Sequence, residues 1–302
     1  MGFDVSYHPI SEPEMRQWYF ELLAGVQTGN LLPARQLAAK WEMNDTYTHK
    51  YTDTLRAGVG ADPRQPFDVT HGYYLAVVQG LFRPYYYIRG GAFSFLVEQA
   101  PQFAAYTKSW RAILPAPIKS PIRDRILENR SSGVFLPPQR VRLLLEDYRA
   151  NPDIRQMLDT FFSHRRIRIF IQALEASREL GVGLLEATEV IEPHPIDLGR
   201  SRCYSNLFHC DTAGMLLYQK AALAQLAQAQ GLDSADQEPA VGQMSTEVDE
   251  GPSAGQIIWS DPAETLPSDM QSDRMADERL EAEAPHDPPQ GKRSFWSRFL
   301  GR

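Results

Sequence analysis

Two histidines and the chain's two cysteines, His194, Cys203, His209 and Cys210, fall within seventeen residues. Imidazole and thiolate are zinc ligands, and a histidine beside a cysteine can also activate a thiol nucleophile. The spacing argues against both uses. There is no Cys-x2-Cys, adjacent His209 and Cys210 would need an unusual backbone to aim at one ion, and nothing marks an oxyanion hole. Free cysteines commonly pack as small apolar residues, and that is the expectation here. A second set, Asp4, His8, Asp68 and His71, would suit acid–base work or a divalent ion if it lined one cleft. Asp68 opens Asp-Val-Thr-His-Gly, however, which reads equally as a turn or cap. No cofactor is implied. Gly-Val-Gly at 58–60 and again at 181–183 lacks the rest of any nucleotide-binding fingerprint.

Two further clusters suit binding better than catalysis. Arg83, Tyr85, Tyr86, Tyr87 and Arg89 interleave cations with aromatic rings. That mixture serves base stacking or a protein interface, and as a core element it needs only arginines that reach water. His164, Arg165, Arg166 and Arg168 form a basic band on a predicted helix. Nucleic acid is not favoured for either. Residues 1–230 carry 25 Lys+Arg against 23 Asp+Glu, too little net positive charge to drive binding by counterion release.

The last eleven residues are the most informative short segment. On a helix, Phe295, Trp296, Phe299 and Leu300 cover an arc of about 140°, flanked by Lys292, Arg293 and Arg298. Such a peptide suits an anionic membrane surface or a groove on another protein. It follows residues 231–291, where acidic residues, Pro, Ser, Gln and Gly predominate and Arg274 and Arg279 are the only basic groups. A stretch of this kind buries too little apolar surface to offset its ordering entropy. The expected organisation is therefore a folded body over 1–230, divisible near 115–121, then an acidic disordered linker over 231–291 and a docking peptide over 292–302.

The body itself reads as mainly α with a few short strands. The opening residues alternate, with Phe3, Val5 and Tyr7 on one side and Asp4, Ser6 and His8 on the other, as a half-buried strand does. Ser11 and Glu14 make a capping box for a helix that Gly25 would end. A second helix runs from about Pro33 to Trp41. Polar residues and glycines predict mainly loop over 44–66. Around Gly90-Gly91 the pattern favours helices on both sides over a hairpin. Pro137-Pro138 opens a helix through Tyr148. Asn151 and Pro152 then start one of nearly thirty residues, closed by Gly181. Thr188–Glu192 is a candidate strand, a neighbour of the first, since His8-Pro9-Ile10 and His194-Pro195-Ile196 repeat. A last helix spans Thr212 to Ala229, capped by Asp211.

With two cysteines, no secretory signal at the start and no run of about 18 apolar residues, the setting expected is the cytoplasm, or the inner face of a membrane. The function expected is that of a non-enzymatic interaction protein, an adaptor or an inhibitor of the immunity type. A hydrolase or metal-dependent enzyme using the His/Cys/Asp sets is the rival, and nucleic-acid binding through the basic band the third.

Overall fold

The computed structural model describes residues 3–116 and 118–229. The expected linker and docking peptide, with Lys292, Arg293, Phe295, Trp296, Arg298, Phe299 and Leu300, lie outside the described residues. The described part is mainly α, built round a small sheet.

The first strand, β1 (Asp4–Ile10), hands over directly to the Ser11 capping box. Ser11 Oγ accepts from Glu14 N–H, and the Glu14 carboxylate accepts from Ser11 N–H at 2.8 Å. Helix α1 (Glu12–Met15) continues through a π-helical turn, Arg16–Phe20, into α2 (Glu21–Gln27). The chain passes Gly25 without stopping and turns instead at Gly29, where φ is +82°. Helix α3 (Leu32–Lys40) falls where expected. The predicted loop over 44–66 is instead mostly α4 (Asp45–Val59), capped by the Asn44 side chain. Its Thr and Asp residues are weak helix formers, but Tyr51, Leu55 and Gly58 supply a buried face. Gly58 is needed there, because a Cβ would sit 2.3 Å from the Tyr19 hydroxyl.

A second π-helical turn, Asp68–Gly72, leads into α5 (Tyr73–Phe82). The expectation of helices on both sides of Gly90-Gly91 holds on one side only. Residues before it form β2 (Tyr85–Arg89), and those after it form α6 (Phe93–Gln99). Consecutive aromatics favour strand because alternate side chains can enter two cores. Tyr86 and Ile88 join one cluster, Tyr85 and Tyr87 another. After β3 (Ser132–Leu136) come α7 (Pro138–Ala150), α8 (Pro152–Phe161) and α9 (Arg166–Leu180). The single long helix expected over 151–181 is thus broken, with His164 and Arg165 at φ +57° and +68°. The break lets Phe162 stack on Phe170 at 4.4 Å. Eight residues along one helix would hold them about 12 Å apart.

β4 (Gly183–Thr188) and β5 (Ile191–Glu192) replace the single strand expected at 188–192, separated by a bend at Glu189 with φ +55°. β6 (Arg202–Cys203) pairs with β5, and β7 (Cys210–Asp211) precedes α10 (Thr212–Ala229). The main sheet has the order β3-β4-β1-β2-β7. β1 is central and antiparallel to β2 and β4, with Val5 opposite Ile88 and Thr188. One apolar cluster, with Val5, Tyr7 and Leu184, joins the sheet to α6, α7, α8 and α9. Another, with Ile10, Leu185 and Ala187, joins it to the helices from α1 to α5. The described residues fall within one compact unit, and 115–121 is tied into it by the Phe67 N–H bond to Pro121 O.

Phe162 is fully buried and Phe161 only partly. Phe162→Ala should lower stability by about 3–5 kcal/mol in urea unfolding, and Phe161→Ala by less than half as much.

Candidate functional site

The residues with the most chemistry in them sit on β1. Ser6, Tyr7 and His8 are all buried. Gln79 of α5 donates from its amide to Pro9 O at 3.1 Å and Pro84 O at 3.3 Å. This fixes the amide so that its oxygen faces His8 Nδ1 at 2.6 Å. The imidazole therefore carries its proton on Nδ1, and Nε2 accepts from the Ser6 hydroxyl at 2.8 Å. Burial pushes the His8 pKa down to about 3, and the Gln79 bond only partly opposes that. The Tyr85 ring stacks on His8 with centroids 5.0 Å apart. A hydroxyl on the nitrogen of a neutral imidazole is the contact that activates a serine. Here a neutral amide stands where a carboxylate would stabilise the imidazolium, and both side chains are sealed inside the sheet. Surface grooves of about 410 and 540 Å³ run along α8 and touch neither residue.

Tyr7 heads a second buried group. Its hydroxyl donates to Gly91 O at 2.6 Å and accepts from Phe93 N–H at 2.9 Å. Glu186 of β4 lies opposite it in the sheet, fully buried, and accepts from the backbone N–H groups of Ser94 and Val134. Burial pushes the Glu186 pKa up to about 7, against the pull of those bonds. The one Tyr7 proton is committed to Gly91, so the 3.4 Å contact between Tyr7 Oη and Glu186 is bonded only when the carboxyl carries a proton. Gly133 makes room for Glu186: a Cβ there would lie 1.9 Å from Oε2.

The other expected sets do not assemble. Asp4 pairs with Arg89 and accepts from Tyr87, Asp68 with Arg123, and His71 Nδ1 meets the Tyr19 hydroxyl at 2.9 Å. These groups and His8 therefore bond to four separate partner sets rather than to one cleft. His194 Nδ1 accepts from the Asp197 N–H, and His209 Nδ1 lies 2.9 Å from Gly80 O. Cys203 Sγ contacts the Tyr85 hydroxyl at 3.3 Å. Burial pushes both thiols up, away from the thiolate form. Among the described residues no three His, Cys, Asp or Glu side chains are placed to share a metal ion.

The binding clusters change character too. Tyr85, Tyr86 and Tyr87 are buried strand residues. Arg83 bonds Glu14 and lies over the Trp18 ring, while Arg89 lies over Tyr218. In the basic band, Arg166 turns inward to Ser163 and the Arg89 carbonyl. His164 and Arg165 occupy the left-handed break, so no helical stripe forms.

What sequence reasoning missed is apolar and exposed. Ile196 and Phe208, in the segment before α10, and Leu216, Leu223 and Leu226 on it stand in solvent. The spacing of the three leucines was visible, but only the span and cap of α10 were read from it. Glu186 was also missed; a glutamate inside Gly-Leu-Leu-Glu-Ala-Thr was its only signal.

No protein-family model, curated protein or solved structure matches the chain.

A carboxyl whose folded pKa lies above its unfolded one adds stability at low pH and loses it as pH rises through the folded value. For Glu186 that window runs from about pH 4.5 to about 7. Glutamine mimics the protonated acid, its amide donating to Tyr7 Oη. Glu186→Gln should therefore gain about 3 kcal/mol relative to wild type between pH 4.5 and pH 8, read as the difference between paired urea titrations. His8 affects both proteins alike and drops out of the difference.

Proposed function

We propose that this chain is a non-enzymatic interaction protein, an adaptor or an inhibitor of another protein, acting in the cytoplasm. One contrast carries this reading. The ionisable and nucleophilic side chains the sequence offers for catalysis are bonded to separate partners, most of them within the fold. Large apolar side chains meanwhile stand outside it, on α10 and the segment leading to it. Contiguous exposed apolar surface on a folded protein marks a place where something else sits. Phe208, exposed at 70%, is the strongest single instance. The basic-aromatic peptide at 292–302 supplies a second contact, with a protein groove or an anionic membrane surface as its target. No helix among the described residues is long and apolar enough to cross a membrane.

The test is affinity capture with the full chain, with Phe208→Asp, and with residues 292–302 deleted. Phe208→Asp should lower recovery of a co-purifying protein about tenfold or more, the change expected when a well-packed anchor worth 1.4 kcal/mol or more is lost, with the melting temperature unchanged. Deleting the peptide should lower recovery or abolish retention on anionic vesicles. Unchanged recovery with both variants, or stoichiometric zinc in the purified protein, would favour the enzymatic rival instead.

A further inference from the structure

Helix α10 is poor in charge yet largely exposed, whereas the uncharged α5 is buried. Over eighteen residues it carries one charged side chain, Lys220, and no acidic one. Its inner face docks on β2, with Gly214 and Met215 buried. The fit is close enough that a Cβ on Gly214 would meet Tyr87 O at 1.8 Å. The outer face has no such partner among the described residues. Leu216, Leu223 and Leu226 are exposed at 52%, 44% and 43%. Leu216 and Leu223 are seven apart and Leu226 follows three later. With Gln219 between them, the row is spaced 3, 4, 3 as a coiled-coil seam is. Ile196, exposed at 57%, extends the row sideways, since Gln219 Nε2 donates to its carbonyl at 2.7 Å. Alternating Leu with Ala on a helix that is mostly in water describes a contact surface, because a helix apolar on all sides is ordinarily a covered one.

We propose that this seam is covered by the same seam of a second copy of the chain, α10 packing on α10 about a two-fold axis. The choice of occupant follows from charge. Charged residues beside a seam normally select a particular partner, and here the flanking positions are Ala222, Ala227 and one cation, Lys220, with no acidic residue on the helix. A row whose one flanking charge is a single flexible lysine, with no acidic residue beside it, is apolar on both copies and so complementary to itself, as a two-fold interface must be. The basic peptide at 292–302 is a poorer occupant, since α10 offers its four cations no acidic side chain and one lysine. Size is in keeping. The helix is about 27 Å long, and its small flanking residues permit close approach. Ile196 and the three leucines present on the order of 350 Å² of apolar surface per copy, within the range of patches that serve contacts. With the alanines and glutamines between them, the pair would bury roughly 1,000 Å² in total, the lower bound for a specific interface.

The proposal uses the face on which the interaction reading rests, and the two fail separately. A monomer that still captures a partner leaves that reading intact, and a dimer that captures none leaves this one. Sedimentation of the full chain should give twice the monomer mass of 34.2 kDa at micromolar concentration. Leu223→Glu, with an unchanged circular dichroism spectrum, should weaken association by roughly 100-fold or more. Should that variant misfold, Leu223→Cys decides the matter. Mild oxidation should link it to a second copy, and an exposed control on α8, Arg155→Cys, should stay unlinked. A wild-type monomer at 100-fold higher concentration, a dimer untouched by Leu223→Glu, or equal cross-linking of both cysteine variants would each overturn the proposal.

Discussion

β1 runs through the middle of the molecule with both faces covered, so the polar side chains it carries must find every hydrogen bond from protein. A buried donor or acceptor left without a partner costs about 1–3 kcal/mol. Much of the architecture can be traced to meeting that demand. Gln79 on α5 turns its amide to His8 and Pro9. The Gly90-Gly91 corner exposes a carbonyl to Tyr7, and the start of α6 returns two N–H groups, to Tyr7 and to Glu186. Gly133 on β3 leaves the space that the Glu186 carboxyl fills. Elements far apart in sequence are thus keyed to one strand by polar bonds as well as by apolar contact.

This arrangement has a functional consequence. Groups that would be reactive in a cleft are here spent on cohesion. The neutral His8 imidazole, the two buried thiols and the raised Glu186 all sit in forms that satisfy a core, not a substrate. Among the described residues, the large apolar side chains left on the exterior include Phe208, Ile196 and the leucine row of α10.

The sequence disclosed elements whose start or stop is written locally. The Ser11–Glu14 capping box, Pro33, Pro137-Pro138 and the span of α10 were all legible because caps and prolines act on adjacent residues. It concealed what depends on distant neighbours. α4 looked like loop because its residues are polar and Gly58 and Gly60 interrupt them, while the surface that stabilises it belongs to α2 and α5. β2 looked helical because the neighbouring pattern is helical, and Tyr85, Tyr86 and Tyr87, buried on both faces, show no polar alternation to mark a strand. The break between α8 and α9 follows from Phe162 stacking on Phe170, a contact no periodicity reveals. At the candidate sites, His8 and Asp4 were correctly placed on one strand, yet nothing local told that Gln79 and Arg89 would engage them.

The polar side chains of β1 are sealed and structural only if His8 stays neutral and closed to solvent. Nitrogen-detected NMR of the histidine rings over pH 5 to 8 tests this directly. His8 should appear as the neutral tautomer protonated on Nδ1, with shifts constant across the range and a slowly exchanging ring proton. A His8 ring that titrates with a midpoint near the ordinary histidine value of about 6.5, or whose proton exchanges at once with solvent, would show an accessible base beside Ser6 and contradict the account.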